Sequence, residues 1–362
     1  MNKKVLFTAT VDSHIKHFHI PYLKLFKEEG YETHVATNGE EKIDYCDKKH
    51  TVSFERSPFN FRNIKAYKQL KKIINEEKFD IIHCHTPMGA TITRLAAKKA
   101  RKNGTKVIYT AHGFHFYKGA PITNWLIYYP IEKWLSKYTD CLITINEEDY
   151  EIAKKFKAKE VELVNGIGID KEKFKKIEIN KENKLKELGL KEGRKIVLSV
   201  GELISRKNHE TVIKAIKNID NIYYLICGIG KLEKYLKNLV KKLDIEDKVI
   251  FLGYRKDINE ILMITDLFVF PSYQEGLPVA LMEAMFEGIP ALASNIRGNI
   301  DLMKENLEYL IVPNDVKAFE HNIEKLLSNK KICNKIIDNN YKNIEKYTLD
   351  NVMIKMKKIY NR

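Results

Sequence analysis

The chain has 362 residues, 44% hydrophobic and 31% charged, with 63 Lys+Arg against 48 Asp+Glu for a formal charge of +15. That length suits two domains of about 100 to 200 residues each, and the apolar fraction is ample for two cores, which excludes a disordered chain. No run approaches the roughly 20 apolar residues of a spanning helix and the start has no signal-peptide core, so the expected location is the cytoplasm.

Apolar runs bounded by turn residues alternate with segments of helical period, the pattern of parallel α/β units. In the first half the expected strands are Val5–Thr8, His34–Ala36, Ile81–Cys84, Val107–Thr110, Cys141–Ile145 and Val161–Val164, with helices such as Pro21–Glu29 and Ile64–Glu76 between them. The loop after the first strand, Thr8 to His17, has small residues that permit close approach, and Asp12 or Ser13 reads as a helix N-cap. Ser13 and His14 there are candidates for the acceptor side of a site, with a plain surface histidine as the competing reading of His14.

Charge is concentrated rather than spread. Residues 51–102 hold twelve Lys/Arg against four Asp/Glu, whereas residues 1–50 hold eight of each. Within this segment Pro58 to Lys68 interleaves aromatics with cations, and further on Pro121 to Trp134 is rich in aromatic and apolar residues. Such composition suits an anionic lipid surface; the alternatives are a solvated helix face and, favoured for the Trp125 stretch, an ordinary core helix. No nucleic-acid-binding motif accompanies the charge. His112 and His115 follow a strand; a metal pair, extended by His83 and His85, is set behind because no Asp or Glu stands at ligand spacing.

The turn Asn165 to Asp170 and the Lys/Glu-rich stretch to Gly193 read as a hinge, dividing the chain into 1–170 and 171–348, with a terminal helix over 349–362 that can pack back on the first domain. The second half restarts the rhythm with Ile196–Val200, Tyr223–Cys227, Val249–Leu252, Leu267–Phe270 and Ala291–Ala293. The fold expected is α/β, two Rossmann-like domains in tandem. Five cysteines placed singly, at Cys46, Cys84, Cys141, Cys227 and Cys333, support neither a disulfide framework nor a cysteine zinc site and read as buried thiols.

The most informative segment runs from Pro271 to Met285. Gly276 and Pro278 mark a loop opening onto a helix after an apolar strand, a place where backbone N–H groups and the helix dipole bind anions. A diphosphate fits there. Glu283, roughly 7 to 8 Å along the helix at 1.5 Å per residue, suits a ribose, and Glu275 a hexose beyond the phosphates; the competing reading is two unremarkable helix carboxylates. In the loop Gly201 to Lys207, Gly201 allows close approach while Arg206 and Lys207 offer a fork and a point charge to phosphate oxygens. Two cations at a helix start are unfavourable unless an anion joins them.

Together these residues resemble the retaining nucleotide-sugar glycosyltransferases of family four, which have the GT-B fold of two Rossmann-like domains facing each other across a cleft. The family's E-x7-E element corresponds to Glu275 and Glu283, and its basic loop to Gly201 through Lys207. Ala111-His112-Gly113, Asn165-Gly166, Gly228-Ile229-Gly230 and Phe251-Leu252-Gly253-Tyr254 follow in matching order. The resemblance implies that Lys207 and Arg206 bind and stabilise the leaving diphosphate, Glu283 holds the ribose, Glu275 the transferred sugar, and His112 contacts that sugar. Tyr254 and Arg255 would lie near the nucleobase, and Gly276, Leu277 and Val279 would line the donor, with Leu277 and Val279 supplying N–H groups because Pro278 has none. His115 joins Ser13 and His14 on the acceptor side. Two departures stand out: Glu202 where the family has arginine, with Arg206 as its substitute, and Pro278 where glycine is common.

The resemblance further implies transfer of a hexose or N-acetylhexosamine from a UDP-sugar, without metal or cofactor, to a lipid-linked or saccharide hydroxyl during surface polysaccharide assembly. The enzyme would then be cytoplasmic, or peripheral on the inner membrane face through the basic segment 51–102. The competing readings are a GT-B sugar-nucleotide epimerase, a non-catalytic lipid-surface or carbohydrate-binding scaffold, and a dehydrogenase built on Gly228 and Gly230. The last suffers because Glu233 falls where a third glycine is needed.

Overall fold

The computed structural model describes residues 3–174 and 179–362; residues 175–178, part of the stretch read as a hinge, lie outside the described residues. The chain divides into two compact units, one formed by residues up to Ile167 together with Met353–Arg362, the other by Gly168–Val352.

The first unit is built on seven parallel strands: β1 (Lys4–Val11), β2 (Glu32–Asn38), β3 (Lys48–Thr51), β4 (Ile81–Cys84), β5 (Lys106–Ala111), β6 (Cys141–Thr144) and β7 (Glu160–Leu163), in the order β3-β2-β1-β4-β5-β6-β7. The central strands are buried on both faces, β4 and β6 along their whole length, which is why they read as short continuous apolar runs. The edge strands differ. β3 is Lys48-Lys49-His50-Thr51, paired with β2 from His34↔Lys48 to Thr37↔Thr51; an edge strand tolerates charged side chains, so no apolar run announces it. Residues 353–362 close this unit: Tyr360 Oη meets His83 Nδ1 at 2.8 Å, and Lys106 Nζ donates to the Ile359 carbonyl at 2.7 Å.

The second unit holds six parallel strands: β8 (Lys195–Val200), β9 (Ile222–Cys227), β10 (Val249–Gly253), β11 (Leu267–Phe270), β12 (Ala291–Ser294) and β13 (Leu310–Ile311), ordered β10-β9-β8-β11-β12-β13. β13 has only two residues, too few for a strand pattern to show in the sequence. Both sheets therefore follow the doubly wound order, in which the chain reverses direction of growth between β1 and β4 and again between β8 and β11. Ligands of such sheets bind beyond the carboxyl ends of the strands at that reversal.

Two local expectations need correction. Asp12 is not an N-cap: the helix Asp12–Phe18 starts after Val11 with no side-chain cap, and the buried Asp12 carboxylate instead accepts from Thr37 and the Glu41 N–H and pairs with Lys49 at 2.8 Å. Of the five free cysteines, Cys84, Cys141 and Cys227 are buried, whereas Cys46 and Cys333 are only half-buried.

Candidate functional site

At the β8/β11 reversal two loops meet. The loop after β8 runs from Gly201 through a 3-10 turn at Ser205–Lys207 and ends at Asn208, whose φ of 55° is left-handed. The Asn208 side chain donates to the Pro271 carbonyl at 3.0 Å and the Pro313 carbonyl at 2.7 Å. The loop after β11 leads to the helix Val279–Phe286, which begins after Pro278 with no side-chain cap and no acidic residue in its first turn. Its first N–H groups thus receive no side-chain cap from Pro278, an arrangement that favours an anion.

The expected residues come together here. Lys207 Nζ lies 2.8 Å and Arg206 Nη1 3.0 Å from the same Glu275 oxygen, and Arg206 also donates to the Gln274 carbonyl at 2.9 Å. Lys207 additionally sits over the Phe270 ring, 4.8 Å from its centroid. Glu275 is thus the anion that the paired cations require. Its carbonyl accepts from the buried Arg297 at 3.0 Å, a long-range support that sequence reasoning missed, as it missed Asn208. Only Asn208 left a local trace, as a polar residue just before a helix.

Gly201 is held close to Lys207: a Cβ there would stand 3.1 Å from the lysine Cδ. The Gly228 and Gly230 pair serves the same loop, since a Cβ at Gly228 would lie 1.9 Å from the Gly201 carbonyl oxygen and one at Gly230 2.6 Å from that of Leu203. These glycines admit a neighbouring backbone rather than a pyrophosphate, and Glu233 heads the next helix paired with Lys237 at 2.6 Å. The dehydrogenase reading loses its motif.

Glu283 is half-buried in the helix, and burial pushes its carboxyl up to about 7 against a smaller opposing pull from Lys173. Gly276 approaches Gly298 so closely that a Cβ at the latter would lie 2.2 Å from the Gly276 carbonyl oxygen. Leu277 and Val279 pack partly buried on the core. Tyr254 is exposed, and Arg255 is committed to Asp257 (2.8 Å) and Glu187 (2.6 Å).

The first unit gathers histidines at the corresponding reversal. His14, His19, His85 and His112 form one cluster, whereas His115 is exposed and its ring lies 4.9 Å from that of Tyr128. His83 faces Tyr360 Oη and Thr110 Oγ1, each at 2.8 Å. Of the metal grouping weighed from sequence, His112 with His115 extended by His83 and His85, the fold brings together His112 and His85 and leaves out His115 and His83. Ser13 is exposed on the helix that carries His14. Burial holds His112 down at about 4 and His83 at about 3, and His19 and His85 well below the usual imidazole range. These rings are neutral at pH 7.

The helix Ile122–Leu135 also departs from expectation. Trp125, Tyr128 and Tyr129 pack inward, while Ile122, Leu126, Ile127, Ile131 and Trp134 are 46 to 70% exposed. It is not an ordinary core helix. Among the described residues no helix is long and apolar enough to cross a membrane.

Comparison with known proteins agrees with both halves. Residues 180–343 match the family described as "Glycosyl transferases group 1", and residues 4–146 match "Glycosyl transferase 4-like". A Bacillus subtilis protein named as a glycosyltransferase, EpsD, is 41% identical over the whole of this chain and 97% of its own length. An Escherichia coli UDP-Gal:alpha-D-GlcNAc-diphosphoundecaprenol alpha-1,3-galactosyltransferase is 33% identical over 79% of this chain and 77% of its own. The crystal structure of Anabaena Alr3699/HepE in complex with UDP superposes over 100% of both chains with a TM-score of 0.82 at 16% identity, which speaks to the fold. On the two matched regions, the two doubly wound sheets and the relative similar from end to end, the chain belongs to the GT-B glycosyltransferases of family four.

Proposed function

We propose that this glycosyltransferase moves a hexose or N-acetylhexosamine, with retention of anomeric configuration, from a UDP-sugar to a hydroxyl of a lipid-linked or saccharide acceptor in surface polysaccharide assembly. The observation that carries the donor reading is the pairing of Lys207 and Arg206 with one Glu275 oxygen beside an uncapped helix start. The E. coli relative's name specifies a UDP-linked donor and a diphosphoundecaprenol-linked acceptor, and Anabaena HepE was crystallised with UDP-glucose.

In this reading the diphosphate displaces the Glu275 carboxylate from the two cations. Lys207 and Arg206 then carry the charge that develops as the glycosidic bond breaks, electrostatic stabilisation of the leaving group by preorganised donors. Glu275, released from them but still held through its carbonyl by Arg297, turns to the hydroxyls of the transferred sugar. Glu283 accepts from the ribose hydroxyls. Retention without an enzymic nucleophile requires attack from the face the diphosphate leaves, with the acceptor proton passing to a leaving phosphate oxygen; the protein supplies alignment.

The exposed face of the helix Ile122–Leu135 supports a lipid-linked acceptor. Trp134 is flanked by Lys98 and Lys137, 5.3 and 4.9 Å from its ring, and Phe59 and Phe61 stand exposed ahead of Arg62 and Lys65. Apolar residues rimmed by lysine suit a bilayer interface.

Thermal shift with UDP, GDP, ADP and NAD tests the donor: a ligand at 100 times its dissociation constant stabilises by about 2.7 kcal/mol. Preferential stabilisation by UDP, followed by formation of an α-linked product on a lipid-diphosphate acceptor, is expected. Stabilisation by none of them, or by NAD alone, overturns the reading.

A further inference from the structure

The four clustered histidines come from three separate places in the chain. His14 lies on the first turn of the helix after β1 and His19 at its end; His85 directly follows β4 and His112 directly follows β5. The fold therefore draws them to the reversal point of the first sheet. His85 and His19 are fully buried, and their rings stack at 3.7 Å. The His14 ring meets that of His112 at 4.8 Å and that of His19 at 5.1 Å.

Their nitrogens are left without protein partners. Both ring nitrogens of His19, Nε2 of His85 and Nε2 of His14 are buried and make no hydrogen bond. Buried polar atoms are nearly always satisfied, and leaving one unpaired costs about 1–3 kcal/mol, so four in one place call for partners, and one ion can take at most one nitrogen from each ring. A neighbouring histidine shows the contrast: His83 uses both of its nitrogens, on Tyr360 and Thr110.

We propose that His14, His19, His85 and His112 form a binding site for one divalent first-row transition metal ion of the zinc class. One ligand nitrogen from each ring lies within 4.8 Å of all the others. A tetrahedral ion with metal–nitrogen bonds of about 2.0–2.1 Å needs about 3.3 Å between ligand nitrogens, and His85 Nδ1 and His112 Nε2 already stand 3.4 Å apart. The widest separation would close by up to about an ångström and a half, and the stacked His19 and His85 rings, inclined by 24°, would turn about their side-chain bonds until both lone pairs face the ion. Uncharged imidazoles are the form that binds metal, and a set of imidazoles alone suits Zn, Cu or Ni rather than Mg or Ca. Coordination through Nε2 would fix the tautomer of His112 and leave its Nδ1–H as a donor. The ion would pin the three loops at the mouth of this sheet.

Tag-free protein, stripped with chelator and titrated with Co2+ and Zn2+, tests this. One equivalent of Co2+ with the intense visible absorption of tetrahedral coordination, displaced by Zn2+, is expected. His14→Gln and His85→Gln should each weaken uptake by more than the 10- to 100-fold typical of losing an outer-sphere partner, while the exposed His321→Gln leaves it unchanged. Should the buried variant fail to fold, X-ray absorption of the Zn2+-loaded wild-type chain reads the ligands directly, and an all-imidazole shell is expected. Absence of uptake at micromolar metal, uptake retained in both variants, or a shell without imidazole overturns the proposal.

Discussion

Replacing Glu275 by Gln separates donor binding from transfer. On the proposed reading, Glu275 and the donor diphosphate compete for the same two cations. Arg206 is 40% exposed, so its 3.0 Å contact is worth at most about 1 kcal/mol after solvent screening. The Lys207 contact is different: at 2.8 Å, with the lysine side chain 14% exposed and the carboxylate 9%, it is a charge-assisted bond of about 1.5–3 kcal/mol. A glutamine keeps one weaker acceptor for Lys207, so about 1–2 kcal/mol of competition disappears. UDP should bind about 5- to 30-fold more tightly to Glu275→Gln by calorimetry, at 1.4 kcal/mol per factor of ten. Sugar transfer should fall by about 100-fold or more, because the group proposed to meet the reacting sugar is lost. Weaker UDP binding in this variant, or transfer at the wild-type rate, would refute the exchange of carboxylate for phosphate.

Four other outcomes follow from the structure. Lys207→Ala should weaken UDP binding by about 10- to 100-fold and lower turnover further still, as checked by calorimetry and initial rates. Glu283 has its carboxyl raised to about 7; if a ribose needs the ionised form, UDP affinity should rise as pH passes from 6 to 8 with release of a proton, and Glu283→Gln should flatten that profile, whereas Glu283→Ala binding donor normally would remove its assigned role. The raised value also means that the carboxyl favours folding below about 4.5 and loses that contribution as pH climbs through 7. His112 runs the opposite way: with its folded value lowered to about 4, the unfolded chain binds the extra proton, so stability is complete above about 6.5 and falls as pH drops toward 4, by up to about 3 kcal/mol. Melting temperatures in chelator should show this fall, and His112→Gln should make it shallower. Finally, charge reversal at Lys65, Lys68, Lys71 and Lys72, or Leu126→Asn with Trp134→Ser, should reduce cosedimentation with anionic vesicles; unchanged binding would remove the membrane surface from the reading.

The sequence by itself determined the two parallel sheets, since strands buried on both faces must be continuous apolar runs: Ile81–Cys84, Cys141–Thr144 and Leu267–Phe270 each stand out this way. It also placed Lys207, Arg206 and Glu275 in loops following strands, because loop chemistry is local. Tertiary structure decided the rest. β3 is visible only through its pairing with β2, since an edge strand of Lys, His and Thr carries no apolar signal. The exposure of Leu126 and Trp134 depends on which side of a helix packs, and a helix that is apolar all round does not declare it. Glu275 as the partner of Lys207, Arg297 as the support of its backbone, and His19 beside His85 are contacts between residues 22 to 68 positions apart. Periodicity reports which residues want burial. Only the strand order, which brings the ends of β1, β4 and β5 together and the ends of β8 and β11 together, decides which buried or charged groups meet.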